Sequence, residues 1–366
     1  MLNRSYVFLL VCLICGVFLV NLFIYKYGLG FLKRVEDEEQ QVFSILSNIT
    51  DRQVRLDVFE AVISPPVSCA GRDIELVICV PVKRDSFAKR EAIRQTWGSY
   101  GRYGGRSIST SESRSTLEIQ TENGKVRTGE IILMFFIGST LSPSDAEEQE
   151  RIDEEVKKNG DIFQDSYIDT YKNLTLKSIS IIKWISKKCP NARYVAKIDD
   201  DMYVNIPLLV TSLRNHATEI YDKIPTVSPG VRKHSFPPPF LVGFKNTGAQ
   251  AIRDKKSKWY TSEEVYKDKW YPSYLSGTAY GMSGQAAVKL YDASLRVPLF
   301  WMEDIYITGL CARIANVPLI ADDRFHFFKM PPKGCAFREV ISGHRYTITQ
   351  MKRIHKELTD PSLKCK

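Results

Sequence analysis

The sequence lacks the glycine-rich loops that hold nucleotides in two large enzyme classes. The first predicted strand-to-helix turn, at 81–87, contains no G-x-G-x-x-G, and the 366 residues contain no G-x-x-x-x-G-K-[ST]. Because those glycines let the backbone approach a pyrophosphate, their absence disfavours a dinucleotide oxidoreductase and a P-loop nucleotide hydrolase. No internal repeat is evident either.

Clustered positive charge is also missing. The net charge is +9, but the basic residues are scattered and no aromatic-interleaved RNA-binding motif accompanies them. We therefore expect no nucleic-acid partner, and we attribute the excess to an anionic ligand such as a nucleotide diphosphate or to solubility alone. The composition, 44% hydrophobic and 25% charged, is that of an ordinary globular protein with a sizeable core.

One long apolar run lies near the N-terminus, YVFLLVCLICGVFLVNLFIY at 6–25. Twenty helical residues reach about 30 Å, the thickness of a hydrocarbon core. The apolar part of a cleaved signal peptide is shorter, about 7–15 residues, and no A-x-A-like cleavage site follows this run. We predict a signal anchor at 6–25 behind a cytoplasmic tail at 1–5, a stem at 26–70 and a lumenal domain at 71–366.

The lumenal placement rests on cysteines and glycosylation sequons, because basic residues flank both ends of the run and do not fix its orientation. Six cysteines lie outside the run without the C-x-x-C spacing of metal sites, and six allow fifteen pairings. Asn48 and Asn173 each begin an N-x-T sequon. Both features fit a secretory compartment, although Cys79 is also explained as a buried thiol and Asn173 as a helix start.

Apolar strands alternate with helical segments through the first half of the domain. Predicted strands cover 74–82, 131–138 and 193–198, and predicted helices cover 85–97, 144–158 and 174–189. This alternation indicates an α/β fold with a mostly parallel central sheet, helices on both faces and ligands bound beyond the C-terminal strand ends. Later strands are predicted at 240–244 and 276–282, and later helices at 284–295 and 304–314. The polar stretch 100–129 is predicted to be a long insert loop.

Three consecutive carboxylates, Asp199, Asp200 and Asp201, follow the strand at 193–198. An isolated run of Asp is more often a solvated turn, but like charges at a sheet end repel, and a bound cation is the simplest offset. In an extended chain Asp199 and Asp201 project to one side and Asp200 to the other. Such a pair suits Mg²⁺ or Mn²⁺ shared with phosphate oxygens. We predict a metal and diphosphate site.

A second acidic pair, Glu303-Asp304, lies at the start of the predicted helix at 304–314. Helix capping is the simpler explanation of acids at this position. However, the pair follows the segment YPSYLSGTAY at 271–280, which contains Tyr274 and Gly277. Glycine lets a bulky ligand approach the backbone, and aromatic rings suit sugar faces. We therefore take this pair and this segment as candidates for ligand binding.

These motifs, in their order along the chain, resemble those of the β-1,3-glycosyltransferases of glycosyltransferase family 31, which include galactosyl- and N-acetylglucosaminyltransferases and the fringe enzymes. The resemblance runs from about Ile74 to Phe328. The matching pieces are REAIRQTW at 90–97, FFIG at 135–138, DTYKNLTLK at 169–177, KIDDD at 197–201, YPSYLSGTAY at 271–280 and Glu303-Asp304, where Ile305 replaces the family's Val. Each piece alone is weak, but six in order are specific.

The resemblance implies a GT-A fold, which is Rossmann-like, in a type II Golgi membrane protein. It also implies inverting transfer from a UDP-sugar, with Mn²⁺, to a glycan acceptor on a glycoprotein or glycolipid. Asp304 would match the catalytic base, and Asp201 with Asp199 the metal-binding acids. His326 lies where GT-A enzymes often supply a metal-binding histidine, and it is equally well explained as a core residue. Galactose is the expected sugar, followed by N-acetylglucosamine or N-acetylgalactosamine.

Contacts with donor or acceptor are further expected from a set of residues at the motif positions: Lys197, Asp199, Asp200, Arg94, Glu303, Tyr274 and Gly277. Arg94 is equally well explained as a structural ion-pair partner. Two rival functions are a metal-dependent phosphohydrolase, which also uses clustered carboxylates, and a catalytically silent carbohydrate-binding protein with a GT-A fold. Neither the side chains that select the sugar nor the oligomeric state is predicted from the sequence.

Overall fold

The computed structural model describes residues 59–101, 116–120, 126–140, 146–223 and 236–365. The predicted tail at 1–5, the anchor at 6–25, most of the stem and the Asn48 sequon lie outside these residues. Within the described ranges, no helix is both long enough and apolar enough to cross a membrane.

The described residues form eleven strands. In chain order these are β1 (Ala61–Ile63), β2 (Ile74–Pro81), β3 (Thr116–Gln120), β4 (Val126–Ser139), β5 (Ile162–Ile168), β6 (Tyr194–Ile198), β7 (Met202–Val204), β8 (Leu241–Asn246), β9 (Tyr274–Ser283), β10 (Leu319–Ala321) and β11 (Ser342–His344). Nine of them make one sheet in the spatial order β1-β5-β4-β2-β6-β9-β8-β10, with β3 paired to β4. β7 and β11 form a separate antiparallel pair.

The helices mostly follow the predicted positions. They are α1 (Phe87–Arg94), α2 (Ala146–Asn159), α3 (Leu174–Lys188), α4 (Ile206–Lys223), α5 (Gly284–Ser294), α6 (Ala312–Ile314) and α7 (Ile348–Leu358). Short 3₁₀ turns occur at Trp97–Tyr100, Tyr171–Asn173 and Gly334–Phe337, and a π-helix at Ile305–Cys311 leads directly into α6. The single helix predicted at 304–314 is therefore a π-helix over most of its length and an α-helix at its end.

The prediction of a mostly parallel sheet holds for its central strands and for β8 with β10, but not for the whole sheet, since β1 and β3 are antiparallel to their neighbours β5 and β4. Strands β5, β4, β2 and β6 are parallel neighbours, whereas β9 runs antiparallel to both β6 and β8. The sheet is therefore mixed, in an α/β fold consistent with the predicted GT-A class. Because β9 runs against β6, the beginning of β9 lies beside the end of β6.

Helices cover both faces of the sheet, as predicted. Every residue of β2 is buried, and consecutive residues of β4 point to opposite faces. Phe135 lies under the Arg94 guanidinium of α1, 4.9 Å from the ring centroid. Its neighbour Phe136 packs against Trp184 of α3, with ring centroids 6.0 Å apart.

The insert at 100–129 is not a loop throughout. Residues 116–120 pair antiparallel with 126–130, so β3 and the start of β4 form two arms of a hairpin. The residues around this hairpin are rich in Gly, Ser, Thr and Arg, and this composition predicts a loop. The short alternating strand TLEIQ was therefore not predicted. Residues 102–115 and 121–125 of the insert lie outside the described ranges.

Two disulfides join Cys69 to Cys189 and Cys335 to Cys365. Cys79 and Cys311 are buried free thiols, and the predicted interpretation of Cys79 as a buried thiol is confirmed. The first disulfide ties the chain before β2 to the end of α3, so it closes a long stretch of the chain around the sheet.

Candidate active site

The three acids after β6 lie on a turn, and the extended conformation that we predicted for them is wrong. The Met202 N–H donates to the Asp199 carbonyl at 3.3 Å, and the Asp199 N–H donates to the Thr278 carbonyl of β9 at 2.9 Å. This bond between residues three apart marks a turn over the three acids. As a result each carboxylate meets a different partner.

Asp201 pairs with a histidine that the sequence motifs did not identify. His344, at the end of β11, places Nε2 3.3 Å from the Asp201 carboxylate, and its Nδ1 lies 3.2 Å from the Phe327 carbonyl. The hydrogen bond with Asp201 raises the pKa of His344. Both ring nitrogens therefore face acceptors, and both donate when the imidazole is protonated. Loss of the Nε2 proton would free that lone pair for a metal while Nδ1 keeps its bond to the carbonyl, which is the usual arrangement of a metal-ligating histidine.

His326, the histidine predicted to bind metal, is placed differently. Its ring stacks on Phe328 with centroids 4.5 Å apart, and its backbone N–H donates to the Ser342 carbonyl of β11 at 3.2 Å. Among the described residues, no ion-pair contact joins it to Asp201, and its Nδ1 is buried without a hydrogen-bond partner. The geometry therefore favours His344 over His326 as the partner of Asp201.

Asp200 points to the first helix, where its carboxylate accepts a hydrogen bond from Lys89 Nζ at 2.8 Å. Lys89 is 40% exposed at its side chain, so this pair lies at the surface of the site. A basic side chain beside the acids supplies positive charge that suits an anionic phosphate group. Lys89 is a second residue that the motifs did not single out.

Lys197 is the buried centre of the site. It is only 3% exposed, and its ammonium donates to Asp199 and Glu303, each at 2.7 Å, and to the Gly277 carbonyl. Burial alone would lower the pKa of Lys197, but the charges of Asp199 and Glu303 outweigh burial and raise it. The ammonium thus holds the end of β6 against the segment that carries the second acidic pair.

The second acidic pair lies directly against β9. A Cβ atom built on Gly277 would fall 2.7 Å from Glu303 Oε1 and 3.1 Å from the Asp304 Cβ, so a larger residue there would displace the Glu303 carboxylate. Burial raises the pKa of both Glu303 and Asp304. Gly277 is needed because the acids pack on it, which adds to the ligand-approach role predicted for this glycine.

Glu303 and Asp304 differ in their remaining partners. Both oxygens of Glu303 are engaged, one by Lys197 and the other by the Ser178 hydroxyl of α3 at 2.8 Å. The Asp304 carboxylate accepts the Ile305 N–H at 2.9 Å, at the start of the π-helix. Only Asp304 is therefore held mainly by backbone and keeps an acceptor position for a ligand.

Two predicted ligand contacts have contrasting environments. Burial first and the charge of Asp304 second raise the pKa of Tyr274 to about 12, which places its hydroxyl in the field of that acid. Arg94 instead binds the buried Asp161 and Glu155, each at 2.7 Å. The structural ion-pair alternative therefore accounts for Arg94, which fixes α1 to the sheet.

The donor set suits a hard divalent cation shared with a ligand. Among the described residues, no group of three or more His, Cys, Asp or Glu side chains is placed to hold a metal ion by itself. Asp201 and His344 offer one carboxylate and one imidazole, and a cation with diphosphate completes its coordination with phosphate oxygens and water. The residues fit Mn²⁺ in that shared form.

The comparisons with known proteins agree with this geometry. A family model described as galactosyltransferase matches residues 88–323. Human Beta-1,3-galactosyltransferase 1 is 30% identical over 319 residues, which cover 87% of this chain and 84% of that protein. Beta-1,3-galactosyltransferase 5 of Gorilla gorilla gorilla is 31% identical over 291 residues, 76% of this chain and 80% of that protein.

The chain belongs to the galactosyltransferase family. A further relative, human Lactosylceramide 1,3-N-acetyl-beta-D-glucosaminyltransferase, is 29% identical over 311 residues, 84% of this chain and 71% of that protein. The predicted resemblance to family 31 and the prediction of a glycosyltransferase are confirmed. His344 lies beyond the matched segment at 88–323, and the pairing of β11 with β7 brings it to the acids of this glycosyltransferase.

Proposed function

We propose that this glycosyltransferase transfers galactose from UDP-galactose to a hydroxyl of a glycan acceptor on a glycoprotein or glycolipid, with inversion and formation of a β-1,3 linkage. The observation that carries the proposal is the shared position of two acidic groups at one sheet edge. Lys197 contacts Asp199 of the triple-acid turn and Glu303, the neighbour of Asp304. Diphosphate binding and proton removal thus have candidate groups on either side of β9.

Galactose as the donor sugar is supported by the galactosyltransferase family model and by the two β-1,3-galactosyltransferase relatives. Because the third relative is an N-acetylglucosaminyltransferase, UDP-N-acetylglucosamine is the second donor to test. Such donors differ by a few polar groups, and a pocket separates them by hydrogen bonds made or left unmade.

The metal proposed for the site is Mn²⁺, held by Asp201 and His344, with Asp199 as a further nearby acid. When bound, it would supply a Lewis acid that stabilises the charge on the departing diphosphate. Lys89 and Asp200 lie beside it at the surface and are proposed to orient the donor. The Phe327 carbonyl, through its contact with His344 Nδ1, fixes the direction of the imidazole.

Asp304 is proposed as the base that takes the proton from the acceptor hydroxyl. Its raised pKa, caused by burial, improves its match to a proton acceptor working near neutral pH. The Ile305 N–H fixes one carboxylate oxygen, which leaves acceptor capacity for the incoming hydroxyl. Glu303, engaged by Lys197 and Ser178, is proposed to position the turn and not to take the proton.

The proposed location is the Golgi membrane, with the anchor at 6–25 in the bilayer and the catalytic domain in the lumen. The two disulfides support it, since structural disulfides form in oxidising compartments. Asn173 is a poorer glycan site than Asn48, because its side-chain amide donates to the Ile168 carbonyl at 2.8 Å.

The test is product analysis with the full chain made in a secretory host. The enzyme is supplied with UDP-galactose, UDP-N-acetylglucosamine or UDP-N-acetylgalactosamine, Mn²⁺ and a panel of p-nitrophenyl glycosides. A β-1,3-galactoside whose formation matches UDP release supports the proposal. Phosphate release without glycoside would indicate the phosphohydrolase, and donor binding without turnover would indicate a binding protein.

A further inference from the structure

The backbone on both sides of Arg345 is fixed to the segment that carries the three acids. His344 pairs with Met202 where β11 meets β7, and the Tyr346 N–H donates to the Asp201 carbonyl at 2.9 Å. The Tyr346 side chain is buried, so the chain after Arg345 is held in the core. The Arg345 side chain therefore starts from a fixed point beside Asp201.

The Arg345 side chain itself reaches far into solvent. It is 74% exposed, and its Nε lies 3.4 Å from Asp201 Oδ2. An exposed ion pair of this kind is weak, because water screens the charges and the long side chain loses conformational freedom when it holds one geometry. Little free energy is therefore needed to move the guanidinium from Asp201 to a stronger partner.

The two oxygens of Asp201 face different basic side chains. Oδ1 lies 3.3 Å from His344 Nε2, and Oδ2 faces Arg345. A histidine becomes a metal ligand by losing a proton, whereas an arginine in a protein stays protonated and cannot ligate a metal. A metal ion bound at Asp201 and the Arg345 guanidinium therefore compete for the same carboxylate.

Lys89 makes the corresponding contact with the neighbouring acid. Its Nζ lies 2.8 Å from the Asp200 carboxylate, so the triple-acid turn carries one basic side chain from α1 and one from the end of β11. Both groups suit phosphate oxygens, and the planar guanidinium of Arg345 can donate two hydrogen bonds side by side. The two differ in that Asp201 is a proposed metal ligand and Asp200 is not.

We propose that Arg345 exchanges one partner for another during donor binding. It pairs with Asp201 until a metal ion takes that carboxylate, and it then binds the diphosphate of the UDP-sugar. The exchange couples the two ligands, because metal binding releases the guanidinium that the diphosphate needs. On the diphosphate, the guanidinium offsets the negative charge that develops as the sugar departs. This inference rests on the proposed function, which supplies both the metal and the diphosphate.

The test measures binding to the full chain in detergent by titration calorimetry, first with Mn²⁺ alone and then with UDP at saturating Mn²⁺. Arg345→Gln is expected to bind Mn²⁺ alone about two- to fivefold more tightly, because one exposed competing ion pair is lost. The same variant should bind UDP about tenfold more weakly, because one charge-assisted phosphate contact is lost. A general distortion of the site would instead weaken the binding of both ligands.

Two variants test whether the position of the charge matters, and one tests its chemistry. Lys89→Gln removes the same charge beside Asp200, so it should weaken UDP binding but tighten Mn²⁺ binding less than Arg345→Gln does. Arg296→Gln is the control outside the site: Arg296 is 57% exposed and pairs with Asp292, and neither dissociation constant should change. Arg345→Lys keeps the charge without the planar fork, and its UDP affinity should lie between those of wild type and Arg345→Gln.

Three results would overturn the inference while the proposed function stands. Unchanged or weaker binding of Mn²⁺ alone by folded Arg345→Gln would show that Arg345 does not compete for Asp201. Unchanged UDP affinity in that variant would show that the guanidinium does not bind the diphosphate. Equal tightening of Mn²⁺ binding in Lys89→Gln would assign the effect to net charge alone.

The proposed function fails in a different way, because these binding measurements need no acceptor. A wild type that binds Mn²⁺ and UDP with the expected differences between variants, but transfers no galactose, would overturn the proposed function and support the exchange. A wild type that binds no UDP in the presence of Mn²⁺ would overturn both.

Discussion

At the scale of single residues, neighbouring carboxylates acquire different roles from their partners. Glu303 is engaged at both oxygens by Lys197 and Ser178, while Asp304 is fixed by a backbone N–H. A carboxylate with two strong partners is a poor proton acceptor, because protonation must break one of those contacts. Environment, rather than residue type, therefore distinguishes the proposed base from its positioning neighbour.

Asp304→Asn is expected to lower kcat by about 10²–10⁴-fold, because the amide keeps the shape but cannot accept the proton. The KM values for UDP-galactose and acceptor should change little. Steady-state kinetics with saturating Mn²⁺ measure both parameters. Glu303→Gln serves as the comparison, and a larger kcat loss there than at Asp304 would reverse the two assigned roles.

His344→Ala is expected to raise the Mn²⁺ concentration for half-maximal activity by at least about tenfold, since the imidazole faces Asp201. A titration of activity against Mn²⁺, corrected for folded protein, measures it. His326→Ala should leave the requirement near the wild-type value. If only His326→Ala shifts the Mn²⁺ requirement, His326 is the metal-binding histidine, as predicted from the sequence, and His344 is excluded from that role.

At the scale of elements, buried ionic groups join helices to distant strands. Asp322, just after β10, accepts hydrogen bonds from Ser212 of α4 at 2.7 Å and from Arg324 Nη2 at 2.6 Å, and His216 of α4 lies 3.3 Å away. Burial alone would raise the pKa of Asp322, but these hydrogen bonds outweigh burial and lower it. The carboxylate thus fastens α4 to the edge of the sheet.

Asp322→Asn is expected to lower the free energy of unfolding by about 2 kcal/mol at pH 7. Because the folded pKa of Asp322 is depressed, its contribution is complete above the unfolded value of about 3.9 and is lost as pH falls through the folded value. The pKa of His216 is raised by its bond to Asp322. The smaller contribution of protonated His216 to the free energy of unfolding is therefore lost as pH rises.

Urea unfolding between pH 3 and 8 measures the difference between wild type and Asp322→Asn. The difference should shrink toward acid pH. Asp323→Asn, at the exposed neighbouring position, is the control and should differ little from wild type. A difference between wild type and Asp322→Asn that stays constant with pH would contradict the assigned ionic role.

Much of the element pattern was predictable, and the failures have physical causes. The buried run at 74–82 and the helix at 174–189 were placed within one residue of their observed ends, because a continuous apolar run and a following Pro190 are strong local signals. The direction of β9 was not predictable, since periodicity carries no information about strand pairing. His344 was missed for the same reason, because its proximity to Asp201 depends on β11 pairing with β7.

At the scale of the whole molecule, the two disulfides span very different lengths of chain. Cys69 and Cys189 are 120 residues apart and Cys335 and Cys365 are 30 apart. A crosslink that closes a longer loop removes more conformational entropy from the unfolded chain. The first disulfide encloses most of the parallel half of the sheet.

Cys69→Ser with Cys189→Ser is expected to lower the free energy of unfolding by about 4–5 kcal/mol, against about 3–4 kcal/mol for Cys335→Ser with Cys365→Ser. Urea unfolding of the two double variants measures both values. The two variants control for each other, since each removes one disulfide. An equal or reversed order would contradict an entropic origin.

The antiparallel strand β9 has a consequence for the spacing of the two acidic groups. One strand end contacts Asp199 through Thr278 and packs against both Glu303 and Asp304 through Gly277, so this strand sets the spacing between the triple-acid turn and the proposed base. The loop at 247–273 enters that same strand at Tyr274. The loop and the two acidic groups are therefore joined through a single strand, so we expect a shift of that strand to move both acidic groups together.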